Sequence, residues 1–239
     1  YNANGQLGLG HNDHVSTFTE VADTGGWGKI VDVKCGGGHT FMRSDDGKVY
    51  AVGYNLRGQL GLGHTNNVCF FREVLGGWGK IVEIVCGGYH TFMRSEHDKW
   101  YAAGSNHCGQ LGLGIWFINN TCSFIEVKDM NDCGKIVKVV CGGTHTFMRT
   151  EHDKWYATGS NDYGELGLGH RNNVCAFTEV KDTGGWGKIV EVKCGGCYTF
   201  IRSEHGKVYA SGNNRCGQLG LGYSTNNFCT FTEIKDTCG

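Results

Sequence analysis

The residues here whose types and spacing could do chemistry are a Cys-x-x-Cys pair, a set of histidines and a series of glycine-rich loops. Cys194-Gly-Gly-Cys197 is the pair. A zinc site would need a second pair at suitable spacing, and redox pairs of this type open a helix. Neither context is present, so chance explains the spacing and no metal site is expected. The glycine loops suggest phosphate binding, which requires Gly-x-x-x-x-Gly-Lys-Ser/Thr ahead of a helix. In this chain Gly-Lys is followed by Ile and opens a strand-like run, so no nucleotide or other cofactor is expected. His39, His90 and His145 each precede Thr, and Tyr198 takes the fourth such place. A catalytic constellation brings different residues together once, whereas these recur at one position. No catalytic residue is therefore assigned. The histidines are either a ring of polar groups open to a partner or imidazoles that bond a neighbouring turn and fix the frame.

The elements that position these residues repeat. Gly-Gln-Leu-Gly-Leu-Gly begins at Gly5, Gly58, Gly109, Gly164 and Gly217, with Gln replaced by Glu in one copy. Cys-Gly-Gly begins at Cys35, Cys86, Cys141 and Cys194, and Gly-Lys-Ile-Val begins at Gly28, Gly79, Gly134 and Gly187. Three markers sharing a period of about 53 residues define one array over 1–239, with unit breaks near 28, 79, 134 and 187. Within a period, Val31, Val33 and Cys35 alternate onto one face, as do Val82, Ile84 and Cys86. His39 to Arg43 forms a second strand, Asp45-Asp46-Gly47 a hairpin turn, Lys48 to Val52 a third strand and Phe70 to Val74 an outer fourth. No segment sustains a helical period. Four strands per unit of this length is the arithmetic of a β-propeller blade. An extra outer strand, Phe18 to Val21, precedes the four complete units.

Gly53-Tyr-Asn-Leu-Arg-Gly58-Gln-Leu-Gly-Leu-Gly63 and the Ile-Val-x-Val-x-Cys-Gly-Gly-x-His-Thr pattern resemble the signature of RCC1 (regulator of chromosome condensation) repeats. The resemblance covers the whole chain. It implies an all-β fold of RCC1-like propeller blades belonging to a seven-bladed propeller. Four blades and a surplus strand leave apolar faces, which further blades of a longer chain or a second molecule would cover. The chain departs from the family where Pro often precedes the outer strand, since it has no Pro at all. The family's photoreceptor branch carries tryptophan clusters beside the His-Thr segment. Gly37-Gly38, Gly88-Tyr89 and Gly143-Thr144 stand there instead, so that activity is not implied.

Composition narrows the partners. Gly is 41 of 239 residues, well above the usual ~7%, which fits many tight turns. A net charge of -1 argues against direct nucleic-acid binding, which needs a Lys/Arg excess. No run of 18 apolar residues suggests a membrane span, and no signal peptide is visible at the first residues. Thirteen cysteines, an odd number, include two repeated sets. Cys35, Cys86, Cys141 and Cys194 close the first strand, and Cys69, Cys122, Cys175 and Cys229 open the outer one. Buried free thiols in a cytoplasmic or nuclear setting are expected, and oxidised cysteines would instead mean a virion or extracellular one. Trp27, Trp78 and Trp186 lie in Gly-Gly-Trp-Gly linkers and are expected to pack between blades. After Gly114 the pattern breaks into Ile115-Trp116-Phe117-Ile118, four apolar residues that suggest a contact surface or a segment folded back on a blade. The resulting expectation is a non-enzymatic scaffold that binds a protein partner on a propeller face through these four residues or the histidines. The alternatives are guanine-nucleotide exchange on a Ran-type small GTPase, or a filament or coat subunit that self-associates. The first alternative lacks a visible insertion for a nucleotide-displacing wedge, because the periods vary only from 51 to 55.

Overall fold

The structure is a computed structural model that describes residues 1–23, 26–114, 120–128, 134–222 and 226–235. Those residues form sixteen strands in four antiparallel sheets, and no helix occurs among them. The first sheet is β1 (Ile30–Cys35), β2 (His39–Ser44), β3 (Val49–Gly53) and β4 (Val68–Glu73), in that order. The second is β5 (Ile81–Cys86), β6 (His90–Ser95), β7 (Trp100–Ser105) and β8 (Asn120–Val127). The third is β9 (Ile136–Cys141), β10 (His145–Thr150), β11 (Trp155–Gly159) and β12 (Val174–Glu179). The fourth is β13 (Ile189–Cys194), β14 (Tyr198–Ser203), β15 (Val208–Gly212) and β16 (Phe228–Glu233). Each is a four-stranded meander, the blade that the period implied.

Tight hairpins hold these meanders in register. The turn between the second and third strands needs a positive φ, supplied by Gly47 (84°) and Gly206 (77°) in two blades. Asp98 and Asp153 take that place at 60° in the others, which Asp tolerates better than most residues. The register then sets His39 opposite Gly53 and Arg43 opposite Val49, and the later blades repeat this pairing. Phe18 to Val21 forms no strand, and Phe18 is fully exposed. Residues 1–17 contain no strand either.

The chain divides into two compact units. The first comprises residues 1–106 with 118–128 and holds the first two sheets; the second comprises 107–117 with 129–239 and holds the last two. In the first unit, Phe41 and Ala51 of one sheet, with Leu60 of the loop that follows, pack on Ile81, Ile84 and Met93 of the next. In the second, Phe147, Trp155 and Ala157 meet Ile189, Val192 and Ile201 in the same way. The Leu-Gly-Leu-Gly loops stitch these layers. Leu62 bridges Ser123 in the first unit, and Leu113 bridges Ala176 and Leu168 bridges Thr230 in the second. Glycine is required at Gly61 and Gly167, where an added Cβ would stand 2.3 Å from the Phe124 ring and 2.2 Å from the Phe231 ring.

Candidate interaction face

The repeated polar residues assemble one kind of loop. Asn55 Nδ2 donates to the carbonyls of His64 (2.8 Å) and Asn66 (3.1 Å), while its Oδ1 accepts the Leu60 amide at 3.0 Å. Asn161 makes the equivalent bonds to His170, Asn172 and Leu166. Two residues before each Gln, a backbone amide donates to its Oε1: Arg57 to Gln59, Cys108 to Gln110 and Cys216 to Gln218. Glu165 is the exception in residue type but keeps the role. Its Oε2 accepts the Tyr163 amide at 2.9 Å and its Oε1 the Ser160 hydroxyl at 2.8 Å. Burial raises its pKa above the usual carboxylate value, against those hydrogen bonds.

The histidines belong to the frame, which corrects the expectation of a polar ring open to a partner. His39 is 1% exposed, and His90 and His145 are 0% exposed. His39 Nε2 lies 3.0 Å from Thr91 Oγ1 on the neighbouring sheet. The Thr91 hydroxyl donates to the Gln59 carbonyl at 3.0 Å, so it accepts from the imidazole, which carries its proton on Nε2. His145 Nε2 makes the same 3.0 Å contact with Thr199 Oγ1. Burial lowers the pKa of both His39 and His145 from 6.5 to about 4, so both are neutral at physiological pH. The bonding partner is thus a threonine of the next sheet rather than a turn. Gly36 after Cys35 covers the ring: a Cβ there would meet His39 Cε1 at 2.2 Å. Tyr198, in the histidine's place, keeps the edge-on ring contact that the histidines make with the Phe two residues on, at 5.8 Å to Phe200.

Among the described residues the eleven cysteines are free thiols. Burial pushes Cys194 up to about 12, and raises Cys86 further, so neither is a thiolate near neutrality. The first-strand cysteines are less enclosed than expected. Cys86, Cys141 and Cys194 are half-buried and Cys35 is exposed, because β1 has no sheet against its outer face within its unit. Two of the linker tryptophans pack inward. Trp27 contacts Tyr50 and Phe71, and Trp186 contacts Tyr209 and Phe231, with centroids 5.6 to 6.2 Å apart.

Between these fixed positions lie residues that differ from copy to copy. The place before His or Tyr198 holds Gly38, Tyr89, Thr144 and Cys197. The pair after the loop Asn is Leu56-Arg57, His107-Cys108, Asp162-Tyr163 and Arg215-Cys216. In the first unit Leu56 is 56% and Tyr89 45% exposed, and Tyr89 stacks on Tyr54 at 5.8 Å. In the second unit the Arg215 guanidinium sits 5.5 Å over the Tyr163 ring, and Cys216 is exposed. Sequence reasoning passed over these residues, although their variation inside a constant frame was readable. The candidate segment Ile115, Trp116, Phe117 and Ile118 lies outside the described residues.

Sheets of four antiparallel strands, linked by loops that bridge to the next outer strand, define a β-propeller blade protein. The comparisons give the family. Two profiles described as regulator of chromosome condensation (RCC1) repeat match, one over residues 1–42, 46–93 and 153–201, the other over 30–59, 81–110, 136–165 and 189–218. The chain belongs to the RCC1-repeat family. It is similar to the ultraviolet-B receptor UVR8 of Arabidopsis thaliana, at 31% identity over all of this chain and 53% of the receptor. It is 29% identical to the secretion-regulating guanine nucleotide exchange factor of Bos taurus, over 91% of this chain and 48% of that protein. The human probable E3 ubiquitin-protein ligase HERC6 is 32% identical over 80% of this chain but only 19% of its own length. Yeast RCC1 (Prp20), solved bound to Kap60, superposes with a TM-score of 0.76 at 20% identity, covering 93% of this chain and 51% of Prp20. The chain thus spans about half or less of the length of these relatives.

Proposed function

We propose that the chain is a non-enzymatic scaffold that binds a protein partner through the loop face. The observation that carries this reading is the division of labour within each repeat. Asn, Gln, His and Thr are consumed in holding the loops, while the residues between them vary, with Leu56 and Tyr89 among them exposed. A rigid frame with variable loops is the arrangement by which sheet scaffolds present contact residues. The repeated histidines and thiols are poorly poised as bases or nucleophiles where burial acts on them: the imidazoles of His39 and His145 are depressed to about 4, and the thiols of Cys86 and Cys194 are raised. Protein binding by yeast Prp20, whose structure is described with binding properties to Gsp1p and histones, supports a protein partner.

The test is site-specific photo-crosslinking. A photoreactive residue at position 56 or 89 should capture one defined protein from cells of origin, and the same residue at the opposite hairpin position 97 should not. Equal capture at all three positions would overturn the loop-face reading. Similarity to the Bos taurus exchange factor favours a second reading, nucleotide exchange on a Ran-type GTPase. Accelerated release of fluorescent GDP from such a GTPase would establish it; release at the intrinsic rate leaves the scaffold.

A further inference from the structure

We propose that a groove beside Trp78, on the rim of the first unit, receives an arginine or lysine side chain from an extended partner segment. The proposal rests on the scaffold reading and assigns it a second contact and a ligand chemistry. Its origin is a shortened linker. Between the outer strand and the linker tryptophan, Val21 to Trp27 and Val180 to Trp186 run two residues longer than Val74 to Trp78. The longer linkers carry an Asp that ties the turn. Asp23 accepts the Gly26 and Trp27 amides, and Asp182 accepts those of Gly184, Trp186 and Gly187. Those two tryptophans are 7% and 1% exposed.

The short linker has no such Asp, and the aromatic cluster is correspondingly open. Trp78, Tyr101 and Phe124 are each half-buried, with Trp78 centred 5.8 Å from Tyr101 and 5.9 Å from Phe124. Leu75 is 77% exposed beside them. The result is a groove of about 610 Å³ with Glu73 and Glu126 also in its lining, within the range of about 300–1,000 Å³ typical of ligand sites.

Charge decides what fits. The faces of indole and phenol rings attract cations, and two carboxylates in the same lining add to that field. Glu126 already holds the Lys99 ammonium at 3.1 Å, but Glu73 stands 4.0 Å from Lys48, at the limit of an ion pair. Glu73 therefore keeps capacity for an incoming cation. A purely apolar occupant would cover both carboxylates without satisfying them, at a desolvation cost. An arginine or lysine lays its alkyl stem along Leu75 and its charged head between the rings and Glu73.

The test uses the full chain and two hexapeptide amides, one with a single arginine between leucines and one with citrulline in its place. Binding is read from the Trp78 indole N–H resonance, assigned with Trp78→Phe. The arginine peptide should shift that resonance, and the citrulline peptide should bind at least tenfold more weakly. Glu73→Gln with Glu126→Gln, both at exposed positions, should lose at least tenfold for the arginine peptide, with the remaining amide spectrum unchanged. Equal binding of the two peptides, or binding indifferent to the glutamine pair, overturns the proposal. So does an absent shift at millimolar peptide, or a shift produced by raising the concentration of the chain alone, which would make a second copy the occupant. Crosslinking at positions 56 and 89 reads a different face, so failure here leaves the scaffold reading standing.

Discussion

Acidification should unlock the seams at His39 and His145. Each imidazole is buried in the neutral form with Nε2 3.0 Å from a threonine hydroxyl, and its pKa falls from 6.5 to about 4 in the fold. In the unfolded chain both imidazoles take up protons as pH drops through 6.5, while the folded chain resists until about 4. The unfolded state therefore binds more protons across this window, so stability is complete above pH 7 and is lost as pH falls toward 4. Between pH 7 and pH 5 the linkage relation gives a loss of about 2 kcal/mol per imidazole, or about 4 kcal/mol for the pair. That is a large share of the roughly 5–15 kcal/mol of a typical domain. Glu165 acts in the opposite sense. Its raised pKa means the fold takes up its proton first, so its contribution improves as pH falls. Measurement in a Glu165→Gln background removes that opposition. Carboxylates held low by partners, such as Glu191 beside Arg202 and Lys193, lose their contribution only below the ordinary carboxylate range. Urea unfolding at pH 7, 6 and 5, followed by tryptophan fluorescence, measures the slope. His39→Gln with His145→Gln keeps an amide donor near each threonine and should remove most of it. A flat profile in the parent, or an unchanged slope in the double variant, would refute the burial argument.

Glu165→Gln restores the residue found in the other four copies and removes a buried carboxylate. It should raise stability by about 1 kcal/mol at pH 8, on the scale of one buried polar group, with the gain shrinking as pH approaches 5. Equilibrium unfolding at both pH values checks it. Gly167→Ala drives a methyl into the Phe231 ring at a φ of 67° and should cost at least about 2 kcal/mol through strain and overpacking. Gly169→Ala, also at positive φ but with nothing within 4 Å of its Cβ, is the control that isolates the ring contact. Thiol reactivity in the native protein should separate the cysteines: Cys35 and Cys216 react quickly with an aromatic disulfide, while Cys86 and Cys194 wait for unfolding. Mass spectrometry of the labelled peptides reads the order.

The strands were legible because their period is two and their breaks are marked by glycine. Ile30 to Cys35 alternates, Gly36 and Gly37 end it, and the observed β1 has the same bounds. The blade count followed from three markers sharing one spacing, a signal no single motif supplies. The sequence left the histidines between a partner-facing ring and a part of the frame, because repetition tells only that a position matters, not which way it faces. Their direction is set by the neighbouring sheet, through Thr91 and Thr199, contacts 52 and 54 residues distant in the chain. The Phe18 to Val21 segment shows a related limit. It has the residues of an outer strand, but a strand exists only where a partner strand offers its hydrogen bonds.

Repetition also indicates where a function would be written. A residue that performs the same bond in successive blades varies little, and here those residues are Asn55, Gln59, His39, Thr91 and their copies, with Glu165 and Tyr198 the two departures. They are bonded into the frame. Information that distinguishes one partner from another therefore has to reside at positions released from that duty. The loop residues Leu56 and Tyr89 are released because they lie between two fixed side chains. Trp78 is released for a different reason. Loss of two linker residues, among them the aspartate that ties the turn elsewhere, frees the aromatic cluster from closing on itself. The exception in the repeat, rather than the repeat, is what gives the first unit a groove lined by two carboxylates and three half-buried rings.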